Sequence, residues 1–381
     1  MRVEHKDEIS VAEFAQTYLH GNQPVVLGSS FTKHWRARRE WVERDGKPNF
    51  ARLRELYGTA TVQVADCDTP YFNDQKRTEM PMAEFLDSWQ SASGGKLYCK
   101  DFHLAQHGAG YRAYEVPQAL SDDWLNMASD ITATDDYRFC YMGGNGTWTP
   151  FHRDVFCSYS WSANICGTKR WILIPPGQDH LFSDGLGQTV YSLQEGAHDA
   201  KRFPRLDELQ TVEIVQQPGE IVFVPSGWWH QVHNEGDTIS INHNWANEYN
   251  LAALYSQLRR EVADVRHAFR DLADVDEFHD IVQRALLANA GMDYRWFVGF
   301  LETIARVYLD AQPGGGGDSP LGGIDPFFSS PQSIRFALGR VSATLDRLLN
   351  DDVTGTVDGL PKQIAALHAR VGPVAIDTRG R

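Results

Sequence analysis

The clearest periodicity lies in the middle of the chain. Tyr159, Trp161, Ala163 and Ile165 alternate with Ser160, Ser162 and Asn164, the period-2 pattern of a half-buried strand. Gly167 is expected to turn the chain. Residues 169–174 then read as a second strand, stopped by Pro175 and Pro176. Gln217-Pro218-Gly219-Glu220 is a turn signal leading into the apolar run at 221–224 and on to Trp228-Trp229-His230. Residues 97–101, 137–142 and 238–242 have strand character as well. Short strands between regular turns predict a mainly β protein built on a barrel or jelly roll.

The flanks read differently. Residues 10–19 form an amphipathic helix, with Ser10 and Glu13 in a capping-box arrangement. A buried strand follows at 24–27. Helices are expected at 49–57, at 81–91 and around Trp124, with a strand at 60–65. Gly143-Gly144-Asn145-Gly146 lacks the Lys-Ser/Thr of a phosphate-binding loop and precedes no helix, so it reads as a flexible turn. Residues 178–213 are irregular, an insertion expected to form one wall of a substrate groove. From Tyr249 the apolar period becomes 3.6, with helices at 251–272, 278–289, 294–310, 333–349 and 362–371. Pro313, the four glycines after it, Pro320 and Gly322-Gly323 read as a mobile loop. The expected organisation is a supporting region at 1–96, a catalytic barrel at 97–247 and a helical region at 248–381.

Candidate chemistry enters with Thr149-Pro150-Phe151-His152-Arg153-Asp154. A His-x-Asp pair on a strand puts an imidazole and a carboxylate on one face. A second imidazole completes a two-histidine, one-carboxylate set that leaves open positions on Fe(II). His230 and His233 both compete for that place, with His243 a weaker third option. Three residues apart on a strand, His230 and His233 face opposite ways, so only one of them reaches the metal.

These motifs, with Gly167-Thr168-Lys169-Arg170-Trp171, Pro175-Pro176-Gly177, residues 218–230 and Ile239-Ser240-Ile241-Asn242, resemble the Jumonji-C domain over about residues 98–250. That resemblance implies a double-stranded β-helix using Fe(II), 2-oxoglutarate and O2. It selects His152, Asp154 and His230 as metal ligands and leaves His233 a structural role. It also implies that Lys169, Thr149 and Tyr98 bind the C5 carboxylate of 2-oxoglutarate, with Asn242 and Ser160 near the co-substrate. A buried lysine would be costly without an anion, which a bound dicarboxylate supplies. Residues 227–245, Asp136-Tyr137-Arg138-Phe139 and residues 97–101 are most similar to the lysyl hydroxylases of the eukaryotic translation release factor. The implied activity is hydroxylation of a protein lysine. The alternatives are an N-methyl-lysine demethylase and a scaffold that keeps the barrel without turnover. In related oxygenases the C-terminal helices sometimes make a homodimer.

Composition narrows the partners. The formal net charge of -14 disfavours nonspecific nucleic-acid binding, which needs clustered Lys and Arg, and suits a basic protein substrate. The five cysteines show no Cys-x-x-Cys spacing, so neither a disulfide framework nor a zinc ribbon is expected. No apolar run reaches the ~18 residues of a membrane span, and the opening residues have no signal-peptide core. Cytosol or nucleus is the expected compartment.

Overall fold

The computed structural model describes residues 3–91, 95–108, 110–311, 321 and 324–376. Among them are strands β1 (Glu4–Lys6), β2 (Val25–Leu27), β3 (Thr61–Tyr71), β4 (Asp74–Pro81), β5 (Leu97–Phe102), β6 (Arg138–Gly143), β7 (Trp148–Arg153), β8 (Tyr159–Ile174), β9 (Val212–Gln216), β10 (Ile221–Val224) and β11 (Trp229–Trp245). One layer runs β1-β2-β10-β8-β11-β6-β5-β3-β4, with β7 paired to β11 and β9 paired to β8. The hinge between layers is the pair β8 and β11. Residues 159–166 face 239–245 in one layer, and 168–174 face 229–235 in the other. The result is a jelly-roll core with flanking helices and a C-terminal helical region.

The alternation of β8 explains how the barrel is filled. Tyr159, Trp161, Ala163 and Ile165 point outward into a core shared with the N-terminal helices, beside Phe14, Trp41, Tyr57 and Phe85. Each buried large apolar side chain there contributes about 1.5–3 kcal/mol. The polar set turns inward: Ser160 Oγ donates to Asp154 and Ser162 Oγ to Asn242. The barrel's polar face is therefore its inside. Apolar filling inside comes from Trp171, Leu173, Val222, Val224 and Val232.

Two strand boundaries differ from expectation. Gly167 does not turn the chain; at φ 71° it sits in a register irregularity, and β8 continues through it as a 16-residue strand. An added Cβ there would lie 2.3 Å from Asp237 O, so glycine permits the close approach of β11. His230 likewise does not share a strand with residues 221–224. A turn at Pro225–Trp228 ends β10, and His230 lies at the start of the 17-residue β11, opened by Trp229, that contains Thr238 to Asn242. The hairpin β3–β4 extends well beyond the expected strand at 60–65.

The first helical element, Val11–Glu13, is capped by Ser10 as expected but continues as a π-helical stretch, Phe14–Leu19. The C-terminal helices include Leu251–Ala268, Phe278–Ala290, Tyr294–Asp310, Pro331–Leu349 and Leu360–Ile376, packed in a second core that also takes in Trp124, Leu125 and Phe156. The expected mobile loop at 313–323 lies outside the described residues except at Leu321. All five cysteines are buried free thiols.

Candidate metal and co-substrate site

His152 on β7 and His230 on β11 are cross-strand partners. Their rings lie 4.2 Å apart between centroids. Each is fixed by a main-chain carbonyl: Pro150 O is 2.8 Å from His152 Nδ1 and Trp228 O is 3.3 Å from His230 Nδ1. A carbonyl only accepts, so Nδ1 carries a proton on both rings and Nε2 is the nitrogen left to face a metal. Asp154 follows β7, and Ser160 Oγ donates to its Oδ2 at 2.7 Å. One donor atom from each of His152, Asp154 and His230 lies within 4.8 Å of the others. Burial, and next the neighbouring His230, hold His152 below the usual histidine range, which keeps its imidazole neutral. Two neutral imidazoles and a carboxylate are a donor set that fits Fe(II).

The turn after Asp154 is strained. Phe156 and Cys157 are successive non-glycine residues in the left-handed region, at φ 60° and 53°. Such conformations cost about 1–3 kcal/mol each and persist only when the surroundings impose them.

Deeper in the barrel, Lys169 is 2% exposed. Its Nζ donates to Ser240 Oγ at 2.8 Å and reaches Tyr98 OH at 3.5 Å. Among the described residues it has no carboxylate partner, and burial pushes its pKa down to about 7. Arg170, next in sequence, points outward to Glu235 and Glu213. Asn234 completes this floor: its Nδ2 donates to Thr147 Oγ1, while its buried Oδ1 has no partner. The Lys169 ammonium is left facing the interior without a counter-charge among the described residues, and a bound carboxylate would supply one.

A bulge brings in Thr149. Three residues from His152, it would ordinarily face the other way. The register shift pairs His152 with His230 and Thr149 with Val232, so both lie on the inner wall. Asn242 is half-buried on the same wall, bonded to Ser162 at 3.0 Å. Ser160 lies against Asp154 rather than among the groups around Lys169. His233 stacks on Trp148 at 5.5 Å, and His243 stacks on Trp161 at 4.1 Å; neither joins the donor cluster.

The sequence reading missed Ser240, Asn234 and Lys100. Ser240 shares the alternation of Asn242, and Lys100 that of Tyr98, so period 2 alone could have found both. Lys100 is 1% exposed, donates to Gln75 Oε1 at 2.6 Å and lies 5.6 Å over the Tyr98 ring. Burial lowers its pKa to about 8. The 178–213 insertion packs Phe182, Val190 and Phe203 around Phe151, the residue before His152.

A jelly roll with two histidines and a carboxylate converging inside it is the architecture of the cupin-like class, and a cupin-like domain model matches residues 11–251. The chain is 46% identical over 314 residues to the arginine-specific demethylase JMJ20 of Arabidopsis thaliana, covering 77% of this chain and 68% of that protein. It is 43% identical over 310 residues to the 2-oxoglutarate and iron-dependent oxygenase JMJD4 of Gallus gallus, covering 79% and 73%. A bifunctional arginine demethylase and lysyl-hydroxylase, psr-1 of Caenorhabditis briggsae, is 28% identical over 299 residues, covering 72% and 68%. The chain belongs to the Jumonji-C family of 2-oxoglutarate- and iron-dependent oxygenases. Among the described residues no helix is long and apolar enough to cross a membrane.

Proposed function

We propose that this protein hydroxylates a lysine side chain of a protein substrate, the eukaryotic translation release factor. His152, Asp154 and His230 hold the iron. Lys169, Thr149 and Tyr98, joined by Ser240, take the C5 carboxylate of 2-oxoglutarate, and Asn242 lines the wall beside it. Bound iron supplies the oxidative chemistry that converts a substrate C–H, 2-oxoglutarate and O2 into C–OH, succinate and CO2. The chain's own task is to present two Nε2 lone pairs and one carboxylate oxygen, hold an ammonium at the barrel floor and keep the interior dry. The observation carrying the oxygenase reading is the buried Lys169, without an acidic partner among the described residues, on the same inner wall as the His-Asp-His cluster. The lysine and the release factor rest on the similarity of residues 227–245 to the release-factor lysyl hydroxylases.

Mass spectrometry of purified release factor incubated with the protein, iron, 2-oxoglutarate and O2 tests the substrate. The expected result is a gain of one oxygen atom on one lysine. The second reading is N-demethylation of arginine, favoured by the name of the Arabidopsis relative. Release of formaldehyde from a methylarginine peptide, without a hydroxylated lysine, would decide for it.

Ser160 supports the metal through Asp154 rather than touching the co-substrate. Ser160→Ala is expected to weaken metal affinity about 10–100-fold, as loss of a partner behind a ligand commonly does. The KM for 2-oxoglutarate at saturating metal should move little. Titration with Mn(II) and steady-state kinetics separate the two.

A further inference from the structure

The Asp154 turn is held from outside the barrel. Phe156 leaves the barrel and is buried in the C-terminal helical core at 6% exposure. Its ring packs 5.3 Å from Trp296 and 5.6 Å from Tyr137. It lies over Gly291, where an added Cβ would come within 3.5 Å of it. The helix Leu251–Ala268 grips both sides of Asp154. Gln257 Oε1 accepts from Arg153 Nη2 at 3.0 Å and from Cys157 Sγ at 3.5 Å, and Arg260 Nη2 reaches Cys157 Sγ at 3.4 Å. Ser226 Oγ donates to Cys157 O. Two successive left-handed residues would relax to ordinary backbone if nothing held them.

We infer that Phe156 is a positioning residue for the metal centre: its anchorage in the C-terminal helices holds the strained turn that aims Asp154 at the two histidines. The inference rests on the ligand set proposed above. The C-terminal helical region is on this account a working part of the metal site, coupled to it through the Phe156 ring and the Gln257 and Arg260 contacts to the same turn. Relaxation of the turn swings the carboxylate away from His152 and His230 while leaving both rings on their carbonyls.

The test uses the full chain and Mn(II), with free Mn(II) read by electron paramagnetic resonance, so that no turnover is needed. The variants are His152→Ala, Phe156→Ala and Phe156→Leu, each checked by circular dichroism. His152→Ala should lose binding. Phe156→Ala should bind at least tenfold more weakly than wild type, and Phe156→Leu, which refills the socket, should return to within threefold. If Phe156→Ala does not fold, Trp296→Ala removes the other half of the contact and is read in the same way. Wild-type affinity in folded Phe156→Ala, or in its Trp296→Ala substitute, with binding lost in His152→Ala, overturns the inference alone. Wild-type affinity in His152→Ala overturns the ligand set and the inference with it.

Discussion

Lys169→Met should give a protein that is more stable than wild type in the absence of ligand near neutral pH and that no longer binds 2-oxoglutarate. The wild-type ammonium is buried with Ser240 and Tyr98 as hydrogen-bond partners and no carboxylate beside it among the described residues. Burial lowers its pKa to about 7 from an ordinary value near 10.5. The sign follows from proton counting. Between these two values the unfolded chain holds more protons than the folded one, so stability rises with pH across that window. Below about pH 7 the lysine is charged in both states and the full cost of burying the cation is present. That cost is a few kcal/mol, at about 1.4 kcal/mol for each pH unit separating the two values. Methionine fills similar volume without it. The stability advantage of Lys169→Met should therefore be largest at and below neutrality and fade toward pH 10, as read by thermal or urea unfolding of the metal-free protein. The same change leaves a bound dicarboxylate without its cation. Loss of one partner of a buried ion pair costs about 3–5 kcal/mol, or roughly 10²–10⁴ in affinity. For wild type, 2-oxoglutarate affinity should fall as pH rises above 7, because the free site loses its charge. Calorimetric binding by Lys169→Met within threefold of wild type would remove Lys169 from the co-substrate site.

Asp154→Ala removes the one anionic ligand of the proposed set. Two neutral imidazoles remain, and a divalent cation bound through them alone carries its full charge into the barrel without compensation. The expected result is loss of Mn(II) binding and a fall of more than about 10³-fold in succinate formation, since the metal's contribution is worth several kcal/mol. The fold should survive, because Asp154 lies in a turn and bonds to Ser160 rather than to any apolar core. Retained cooperative unfolding together with lost metal binding is the required pair of observations. Retained turnover would point to another carboxylate.

Much of this site is legible in short-range patterns. His152 and Asp154 are two residues apart, and period 2 governs both. The polar residues at 160, 162 and 164 mark one face of their strand as distinct, although the alternation alone does not say that the polar face is the enclosed one. What escaped was non-local. The bulge that turns Thr149 inward depends on register against Val232, which only the partner strand determines. Gly167 reads locally as a turn, yet β11 across from it keeps β8 extended. The left-handed turn at Phe156 and Cys157 has no glycine to signal it, since its energy is supplied by helices more than a hundred residues downstream. Lys100 was visible in the alternation but needed Gln75 on the unpredicted strand β4 to become interpretable.

The two long strands that carry both the His230 end and the Lys169 end of the site are joined through the 178–213 insertion, β9 and β10. Assembly of the barrel must close that connection before β8 and β11 can pair with each other, so their pairing is a long-range folding event. The entropy of such a closure grows only with the logarithm of loop length, and doubling the loop costs about 0.6 kcal/mol. An insertion placed there can lengthen, shorten or change composition over evolutionary time with little loss of stability, provided the apolar contacts of Phe182, Val190 and Phe203 around Phe151 are kept. The topology thus leaves one segment beside the metal-bearing strand free to diversify while the chemistry beneath it stays fixed.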